Sequence, residues 1–343
     1  MKILIAPGEI ANQIYLNSKG LLEIDDKLIV ETVSHVHQFY NKDRYTYVYN
    51  NTNAFLGLFR RIRIFIKLFL KYDVYIYHYG SSLSHSYLLH FDVFLNKIFG
   101  KKIIVYFHGS DIRNPEIEIK RNRWYVNPYK ESSFRSNFNC KIWSYFTCGN
   151  VIFSDPTLEV SLINNFPYRH FLKLSIDVLQ LKPRYPTRIK KIKVFHIPSN
   201  SDFKGTKYIR ESVADLLRSG NCNFEYIEYE NISHEDAMNY LIDSDLVIDQ
   251  LMIGAHGVFA LEAMALGKPV ICNIWESDYA RHYDPSFPII SANPDNLTNV
   301  LFEWISCDLE VRKNKGKESR KYVEKFHNYN SGSNSLFKII EKL

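Results

Sequence analysis

LVIDQLMIGAHGVFALEAMALGKPVICN, residues 246–273, combines apolar runs and glycines in a pattern typical of one class of fold. Its first apolar run predicts a strand over Leu246–Leu251, and its apolar middle predicts a helix over Val258–Leu266. Gly267 ends that helix, and Pro269–Asn273 predicts a second strand. A strand, a helix and a strand in this order form a βαβ unit, so the segment predicts a parallel sheet.

The loop between the first strand and the helix carries Gly254 and Gly257. Glycine lets backbone N–H groups approach a ligand, and the first turn of a helix offers unpaired N–H donors at its positive end. The amides of Gly257, Val258 and Phe259 are therefore candidates for binding a phosphate or diphosphate. The alternative interpretation is a helix that packs on the sheet and binds nothing.

Glu262 lies about one and a half turns into the predicted helix, in the apolar surroundings of Leu261, Ala263 and Met264. A partly buried carboxylate needs a polar partner. That partner is either the diol of a ribose or, in the alternative interpretation, a nearby Lys or Arg of the same chain.

Strands and helices alternate on both sides of this segment. Toward the N-terminus the patterns predict strands over Lys2–Ala6, Asp73–His78, Lys102–Phe107 and Val151–Ser154, and helices over Ala11–Ile24 and Ser86–Phe99. Closer to the segment they predict strands over Lys193–Ile197 and Phe224–Tyr229, and helices over Tyr208–Gly220 and His234–Asp243. This alternation predicts an α/β protein with two Rossmann-like domains that face each other across a cleft.

A basic stretch with two prolines and no acid, LKPRYPTRIKKIKV at residues 181–194, has the composition of a linker. We therefore expect an N-terminal domain over residues 1–182 and a C-terminal domain over residues 190–317. A last helical stretch, at about 318–343, is expected to return to the N-terminal domain.

A second polar loop follows a predicted strand in HIPSNSDFKGT, residues 196–206. Ser199 and Asn200 lie at the carboxyl end of the strand, where ligands bind in open α/β sheets. Lys204 is a mobile cation that can reach a diphosphate. The alternative interpretation is the start of a helix with a solvated lysine.

A third segment, VYFHGSDIR at residues 105–113, places polar side chains after the strand that ends at Phe107. His108 can donate a hydrogen bond or move a proton near neutral pH. Asp111 can cap the following turn and Arg113 can bind an anion. The alternative for His108 is a structural hydrogen bond.

The loop after the first strand has Gly8 but no GxGxxG pattern, which argues against a dehydrogenase.

A fourth segment, FLGLFRRIRIFIKLFLKY at residues 55–72, combines basic and apolar residues without an acid. Its bases recur at helical spacing at Arg60, Arg63, Lys67 and Lys71. Such a helix can lie on an anionic membrane surface with its apolar side inward. The alternative is a core helix with a solvated basic face. Nucleic-acid binding has no motif to support it.

Composition excludes several other classes of protein. The chain has 343 residues, 46% hydrophobic and 23% charged, with 43 basic and 37 acidic residues, as in a folded globular protein. No pair of cysteines has CxxC spacing and their number is odd, so free thiols are expected rather than disulfides or a zinc site; they are Cys140, Cys148, Cys222, Cys272 and Cys307. The histidines and acids form no metal motif. The chain shows neither a signal-peptide core nor the run of about 18 apolar residues that a membrane span needs, so we expect a cytoplasmic protein.

Taken together, these segments resemble the GT-B glycosyltransferases of the large retaining family four, the "glycosyl transferases group 1". The resemblance rests on VYFHGSDIR at 105–113, SID at 175–177, HIPSNSDFKGT at 196–206 and GVFALEAMALGKPVI at 257–271. It implies a nucleotide-sugar donor, linked to UDP, GDP or ADP, in the C-terminal domain and a glycan or lipid-linked acceptor in the N-terminal domain. It implies no metal and no cofactor.

The resemblance also implies roles for individual residues. Lys204 would neutralise the donor diphosphate, Glu262 would bind the ribose, and His108 would contact the donor sugar. The remaining expected donor contacts are Ser199, Asn200, Asn231, Ile232, Gly254, His256, Gly257, Val258 and Phe259. Those expected near the acceptor or an anion are Gly8, Asp111 and Arg113.

The sequence departs from the family pattern at two positions. The family usually has an acid eight residues before the equivalent of Glu262, and this position is Gly254 here. Asp249 or His256 is a candidate to replace that acid. The family also often has an Arg ahead of the Lys, where this chain has the turn after His196.

The expected activity is therefore transfer of a sugar from a nucleotide sugar to a polysaccharide or lipid-linked glycan, with retention. Two alternatives remain. One is an epimerase or hydrolase of nucleotide sugars with the same fold. The other is a non-catalytic partner subunit that binds nucleotide sugars, which the departure at Gly254 suggests.

Overall fold

The computed structural model describes residues 1–35, 42–49, 54–84, 88–127, 130, 132–220 and 223–343, without the side chains of 54–56. Cys222 and the predicted helix start at Ser86 lie outside these residues, as does the side chain of Phe55. The described strands are β1 (Lys2–Pro7), β2 (Ile29–His35), β3 (Tyr47–Tyr49), β4 (Val74–His78), β5 (Lys102–Phe107), β6 (Asn150–Phe153), β7 (Tyr168–Phe171), β8 (Ile192–His196), β9 (Phe224–Glu228), β10 (Leu246–Ile248), β11 (Val270–Cys272) and β12 (Ile290–Ser291).

The described α-helices alternate with these strands along the chain. They are α1 (Gln13–Ile24), α2 (Ala54–Leu68), α3 (Phe91–Ile98), α4 (Pro115–Arg121), α5 (Ser133–Phe146), α6 (Glu159–Leu162), α7 (Ser201–Lys204), α8 (Thr206–Arg218), α9 (His234–Asp243), α10 (Val258–Ala265), α11 (Glu276–Tyr279), α12 (Leu297–Ser306), α13 (Leu309–Phe326) and α14 (Tyr329–Lys342). No α-helix among the described residues is both long enough and apolar enough to cross a membrane.

The chain folds into two compact units. Unit 1 consists of Met1–Ile117, Glu131–Ser175 and Tyr329–Leu343, and unit 2 consists of Glu118–Lys130 and Ile176–Asn328. The segment 118–130, which lies inside the expected N-terminal domain, is thus part of unit 2.

Unit 1 is built on a parallel sheet with the strand order β3-β2-β1-β4-β5-β6-β7. Alternate residues of its strands belong to two different core clusters, so both faces of the sheet are covered. On one face α1 and α14 contribute Ile14, Leu21 and Leu336. On the other face α2, α3 and α5 contribute side chains such as Leu68 and Trp143.

Unit 2 is built on a second parallel sheet with the strand order β12-β11-β10-β8-β9. Its core includes Val194 from β8 and Ile248 from β10, together with Ile209 of α8 and Leu301 of α12. Both β8 and β10 end in the loops that carry the predicted donor-site residues.

The predicted α/β fold with parallel sheets is confirmed. The last helical stretch is two helices, α13 and α14, and the second of them belongs to unit 1. It packs on α1, where a Cβ atom at Gly20 would overlap the hydroxyl of Ser333. This close contact explains why a glycine lies inside α1.

Candidate functional site

Lys204 is the last residue of the short helix α7. Asn200 caps this helix, because its Oδ1 accepts the N–H of Phe203 at 2.9 Å. Gly205 follows with φ +76°, and a Cβ there would lie 3.1 Å from the Cβ of Leu251. The carbonyl of Lys204 accepts the N–H of Leu251 at 3.1 Å. These contacts fix Lys204 against the loop that follows β10.

The ammonium group of Lys204 contacts a buried carboxylate. Its Nζ lies 2.5 Å from Oδ1 of Asp249, the residue that follows β10. The other carboxylate oxygen, Oδ2, accepts the N–H of Gly257 at 3.0 Å. The side chain of Lys204 is 10% exposed and that of Asp249 is fully buried. A lysine and a backbone amide at the start of α10 thus converge on one anionic group, as a phosphate-binding site requires.

Gly257 is a glycine that the fold itself does not require. Its φ of −99° and ψ of 179° are open to any residue. A Cβ there would lie 3.5 Å from Oδ2 of Asp249 and 3.6 Å from Nζ of Lys204, which are ordinary contacts. The next two residues, Val258 and Phe259, begin α10, where N–H groups have no acceptor within the helix. The missing side chain therefore leaves open the space beside the Lys204 ammonium and these amides.

Glu262, one turn further along α10, has a partner that the sequence did not suggest. Its Oε1 lies 2.8 Å from Nε2 of His234, at the start of α9. The partner is thus a histidine and not the Lys or Arg of the alternative interpretation. The Glu262 side chain is 18% exposed and that of His234 is 62% exposed, so the pair is accessible from solvent. Its role toward a ribose stays a prediction.

The other predicted donor contacts in unit 2 lie in loops. Asn231 and Ile232 lie between β9 and α9, where Asn231 is exposed with φ +57° and Ile232 is half-buried. Ser199 is exposed in the loop after β8. Tyr229 directly follows β9, and its ring lies 4.4 Å from that of Tyr240. The sequence analysis did not single out this aromatic pair.

The position of the missing family acid is filled by a tryptophan. A Cβ at Gly254 would overlap the indole of Trp275, and the backbone N–H of Trp275 donates to the Gly254 carbonyl at 3.0 Å. No side chain fits there, so the departure is built into the packing of unit 2. The two candidate replacements have other partners. Asp249 binds Lys204, and Nδ1 of His256 lies 2.6 Å from the Tyr279 hydroxyl.

His196, in the neighbourhood of the missing family Arg, is a buried neutral residue. Its Nδ1 lies 2.9 Å from the carbonyl oxygen of Ile248, and its Nε2 lies 2.9 Å from the hydroxyl of Thr206. A carbonyl only accepts, so Nδ1 carries the proton and Nε2 accepts from the hydroxyl. Burial lowers the pKa of His196 to about 4. It supplies no positive charge at neutral pH.

In unit 1, His108 follows β5 as expected, and its burial favours the hydrogen-bonding role over proton transfer near neutral pH. Burial lowers its pKa to about 3. Its Nε2 lies 3.2 Å from Nδ1 of His78, and its ring centroid lies 4.1 Å from that of Tyr106. His108 is thus a neutral hydrogen-bonding group, whose Nδ1 is buried without a partner among the described residues.

Asp111 and Arg113 have structural partners in unit 1. The Asp111 carboxylate accepts the N–H groups of His108 and Gly109, the latter at 2.8 Å, and burial raises its pKa to about 7. The guanidinium of Arg113 is buried and lies 2.5 Å from Asp155. The structure therefore gives no support to the expected anion site at Arg113.

Gly8 and Glu9 shape the loop after β1. A Cβ at Gly8 would lie 2.9 Å from the carbonyl oxygen of His78, so this glycine permits a close backbone approach. The carboxylate of Glu9 accepts the N–H of Ile14 at 3.1 Å and the hydroxyl of Tyr45 at 2.9 Å. Burial raises the Glu9 pKa to about 7. Among the described residues, no three His, Cys, Asp or Glu side chains are arranged to hold a metal ion.

No family model matches the sequence, and no curated protein matches it. Solved structures share its fold over the whole chain. Sucrose-phosphate synthase from Thermosynechococcus elongatus aligns with a TM-score of 0.64 at 13% identity, over 99% of this chain and 98% of that chain. Anabaena HepE in complex with UDP and glucose aligns with a TM-score of 0.64 at 13% identity, over 100% of both chains. Trehalose-6-phosphate synthase aligns with a TM-score of 0.63 at 11% identity, over 100% of this chain and 99% of that chain. The chain therefore has the fold of GT-B glycosyltransferases.

Proposed function

We propose that this protein transfers a sugar from a nucleotide-sugar donor to a polysaccharide or lipid-linked glycan acceptor. The observation that carries the proposal is the convergence of Lys204 Nζ and the Gly257 amide on one carboxylate of Asp249. A donor diphosphate presents the same kind of oxygen to the same two donors. In this proposal it displaces the Asp249 carboxylate when it binds.

This arrangement suits the chemistry of sugar transfer. Breaking the anomeric bond leaves negative charge on the nucleoside diphosphate, and fixed donors aimed at that charge stabilise the transition state. Lys204 supplies a cation, and the start of α10 supplies backbone N–H groups at Gly257, Val258 and Phe259. Glu262 is assigned to the ribose hydroxyls, which would take the place of His234. None of these steps requires a metal ion.

Proteins with this fold support the choice of donor. HepE has been solved with UDP-glucose, and the trehalose-6-phosphate synthase study concerns glycosyltransfer with retention. We accordingly extend the proposal to retention and to membership of the retaining family four. The base is left to experiment among UDP, GDP and ADP.

Incubation of the full chain with each common sugar nucleotide, followed by NMR, tests this function. One set of samples contains glycan and glycolipid extracts as acceptors, and a matched set contains none. A product glycoside formed only with an acceptor supports the proposal. Donor conversion without an acceptor identifies an epimerase or hydrolase instead.

Nucleotide-sugar binding without turnover identifies a non-catalytic subunit. Trp275 favours this second candidate, because its indole excludes an acid from position 254. Sugar transfer to any acceptor in the extract would exclude it.

A further inference from the structure

Three helices of unit 1, α2, α3 and α5, form a layer over one face of its sheet. Their inner side chains enter the core, and their outer side chains include large exposed apolar residues. The outer set comprises Phe59, Ile66 and Leu70 from α2 and the turn after it, Phe91, Phe94, Ile98 and Phe99 from α3 and the residue after it, and Phe134, Phe138 and Tyr145 from α5. We call this surface the outer helical face.

The exposed side chains occupy one side of each helix. Phe134, Phe138 and Tyr145 are spaced at i, i+4 and i+11, and the rings of Phe134 and Phe138 stack at 6.2 Å. Phe134 is 80% exposed and Ile66 is 70% exposed. Contiguous exposed apolar patches mark sites of interaction with proteins or membranes.

The three helices also join into one surface. The ring of Phe69, just after α2, meets that of Phe99, just after α3, at 5.4 Å. Lys97 of α3 lies over the ring of Tyr145 of α5, with Nζ 4.1 Å from the ring centroid. The apolar residues of α2, α3 and α5 thus belong to a continuous face.

The charge on this face has one sign. Its bases are Arg60, Arg63, Lys67, Lys97, Lys101, Arg135 and Lys141. Residues 54–72 and 132–150 contain no Asp or Glu, and residues 88–107 contain only Asp92. Asp92 is buried, where it accepts the N–H of Leu83. Among the described residues of these helices, no carboxylate is therefore exposed to offset the bases.

We propose that the outer helical face docks on the surface of an anionic lipid bilayer. Its aromatic and aliphatic side chains would enter the boundary between headgroups and acyl chains, and the Lys and Arg residues would contact lipid phosphates. A second copy of the chain fits less well, because a two-fold contact would bring bases against bases. A nucleic-acid backbone would match the bases but would leave the apolar side chains uncovered. This inference goes beyond the proposed function and does not depend on it.

Co-sedimentation of the full chain with vesicles tests the docking. One vesicle contains phosphatidylcholine alone, and the other contains phosphatidylcholine with phosphatidylglycerol. We expect binding to the anionic vesicle, weaker binding at high salt, and little binding to the neutral one. The apolar double variant Ile66→Ser with Phe134→Ser and the charge double variant Arg63→Glu with Lys141→Glu are each expected to lose binding by at least about tenfold.

Controls of the same chemistry lie on α8 in unit 2. Leu217 and Lys207 are exposed there, and the variants Leu217→Ser and Lys207→Glu should bind vesicles like the unchanged protein. Light scattering and circular dichroism verify the mass and fold of every variant. Absence of wild-type binding to anionic vesicles, or equal binding by the face variants, would overturn the proposal. A mass change caused by the face variants would assign the face to self-association instead.

Nucleotide binding separates this proposal from the proposed function. The variants of the outer helical face should bind nucleoside diphosphates as the wild-type protein does. Vesicle binding without any nucleotide binding would support the docking and reject the donor site. Nucleotide binding without vesicle binding would support the donor site and reject the docking.

Discussion

Nζ of Lys204 and Oδ1 of Asp249 are 2.5 Å apart in the interior of unit 2, and the same carboxylate accepts the N–H of Gly257. The carboxylate thus lies where the proposed function requires a phosphate. Without donor, Asp249 satisfies both a buried cation and an amide at the start of α10. Binding of the donor must replace these contacts, so Asp249 is expected to limit donor affinity.

The variant Asp249→Asn tests this competition. Loss of the carboxylate leaves a buried lysine without its counter-ion, which is expected to lower the free energy of unfolding by about 3 kcal/mol. The same change removes the competitor of the diphosphate, so the thermal shift caused by the bound nucleotide should become larger. Differential scanning fluorimetry with and without nucleoside diphosphate measures both effects. Asp202→Asn, at an exposed residue of α7, is the control; weaker binding by Asp249→Asn would show that Asp249 positions Lys204 rather than competing.

The variant Gly257→Ala separates the fold from ligand binding. Its Cβ makes only ordinary contacts and its backbone angles suit alanine, so the free energy of unfolding should stay within about 1 kcal/mol of wild type. The methyl group points to the Lys204 ammonium, so diphosphate affinity should fall at least about tenfold. Gly109→Ala adds a methyl group in open space and serves as the control. Normal affinity in Gly257→Ala would remove this glycine from the site.

Glu262 and Lys204 are expected to affect different parts of the nucleotide. Glu262→Ala removes a carboxylate assigned to the ribose, so it should weaken binding of the nucleoside as well as the nucleoside diphosphate by roughly tenfold. Lys204→Ala should weaken only the diphosphate. Competition assays with nucleoside, monophosphate and diphosphate compare the two variants. Unchanged nucleoside affinity in Glu262→Ala, with a loss confined to the phosphorylated ligands, would contradict the ribose role.

The Glu9 carboxyl should make stability depend on pH. Its pKa is about 7 in the folded chain and 4.5 as a model value, so between these values the folded state holds the extra proton. The contribution of Glu9 to the free energy of unfolding is therefore complete below about pH 4.5, and it is lost as the pH rises through 7. His196 acts in the opposite sense, because its pKa is lowered from 6.5 to about 4 and its contribution appears as the pH rises through this range.

Glu9→Gln keeps the side chain neutral at every pH. It should therefore remove the loss of stability that ionisation of Glu9 causes as the pH rises. Between pH 5 and pH 8 its free energy of unfolding should fall by about 2 kcal/mol less than that of wild type. Urea unfolding at both pH values measures the difference, and Glu225→Gln at the surface is the control. A variant whose pH dependence equals that of wild type would show that Glu9 is ionised throughout.

The sequence predicted the parallel α/β fold because the strands β4, β5 and β8 are nearly continuous apolar runs. It did not predict β2, where IVETVSH alternates with polar residues, or the two-residue strand β12. These strands depend on pairing with neighbours, as in the register of Ile5 with Thr32. Local pattern contains little information about such pairing.

The site was predictable in its backbone elements but less so in its side-chain partners. Lys204 and Gly257 follow strand ends, so a doubly wound sheet brings them to one edge. The sequence does indicate Asp249 as a residue of the site, because an acid that directly follows the apolar strand Leu246–Ile248 lies at the same edge of the sheet. The contacts of Glu262 with His234 and of Gly254 with Trp275 join residues far apart in sequence. Only tertiary packing determines them.

Isothermal titration of the full chain with UDP, GDP and ADP measures whether Lys204 contributes to binding of the donor diphosphate, with Lys204→Ala and the exposed-lysine control Lys207→Ala in parallel. We expect at least one nucleotide to bind in the micromolar to low-millimolar range. Lys204→Ala should weaken that binding roughly 10- to 100-fold, because it loses a charged hydrogen bond, and Lys207→Ala should leave it unchanged. Failure of all three nucleotides to bind, or equal binding by wild type and Lys204→Ala, would contradict the claim that Lys204 and the Gly257 amide hold the donor diphosphate.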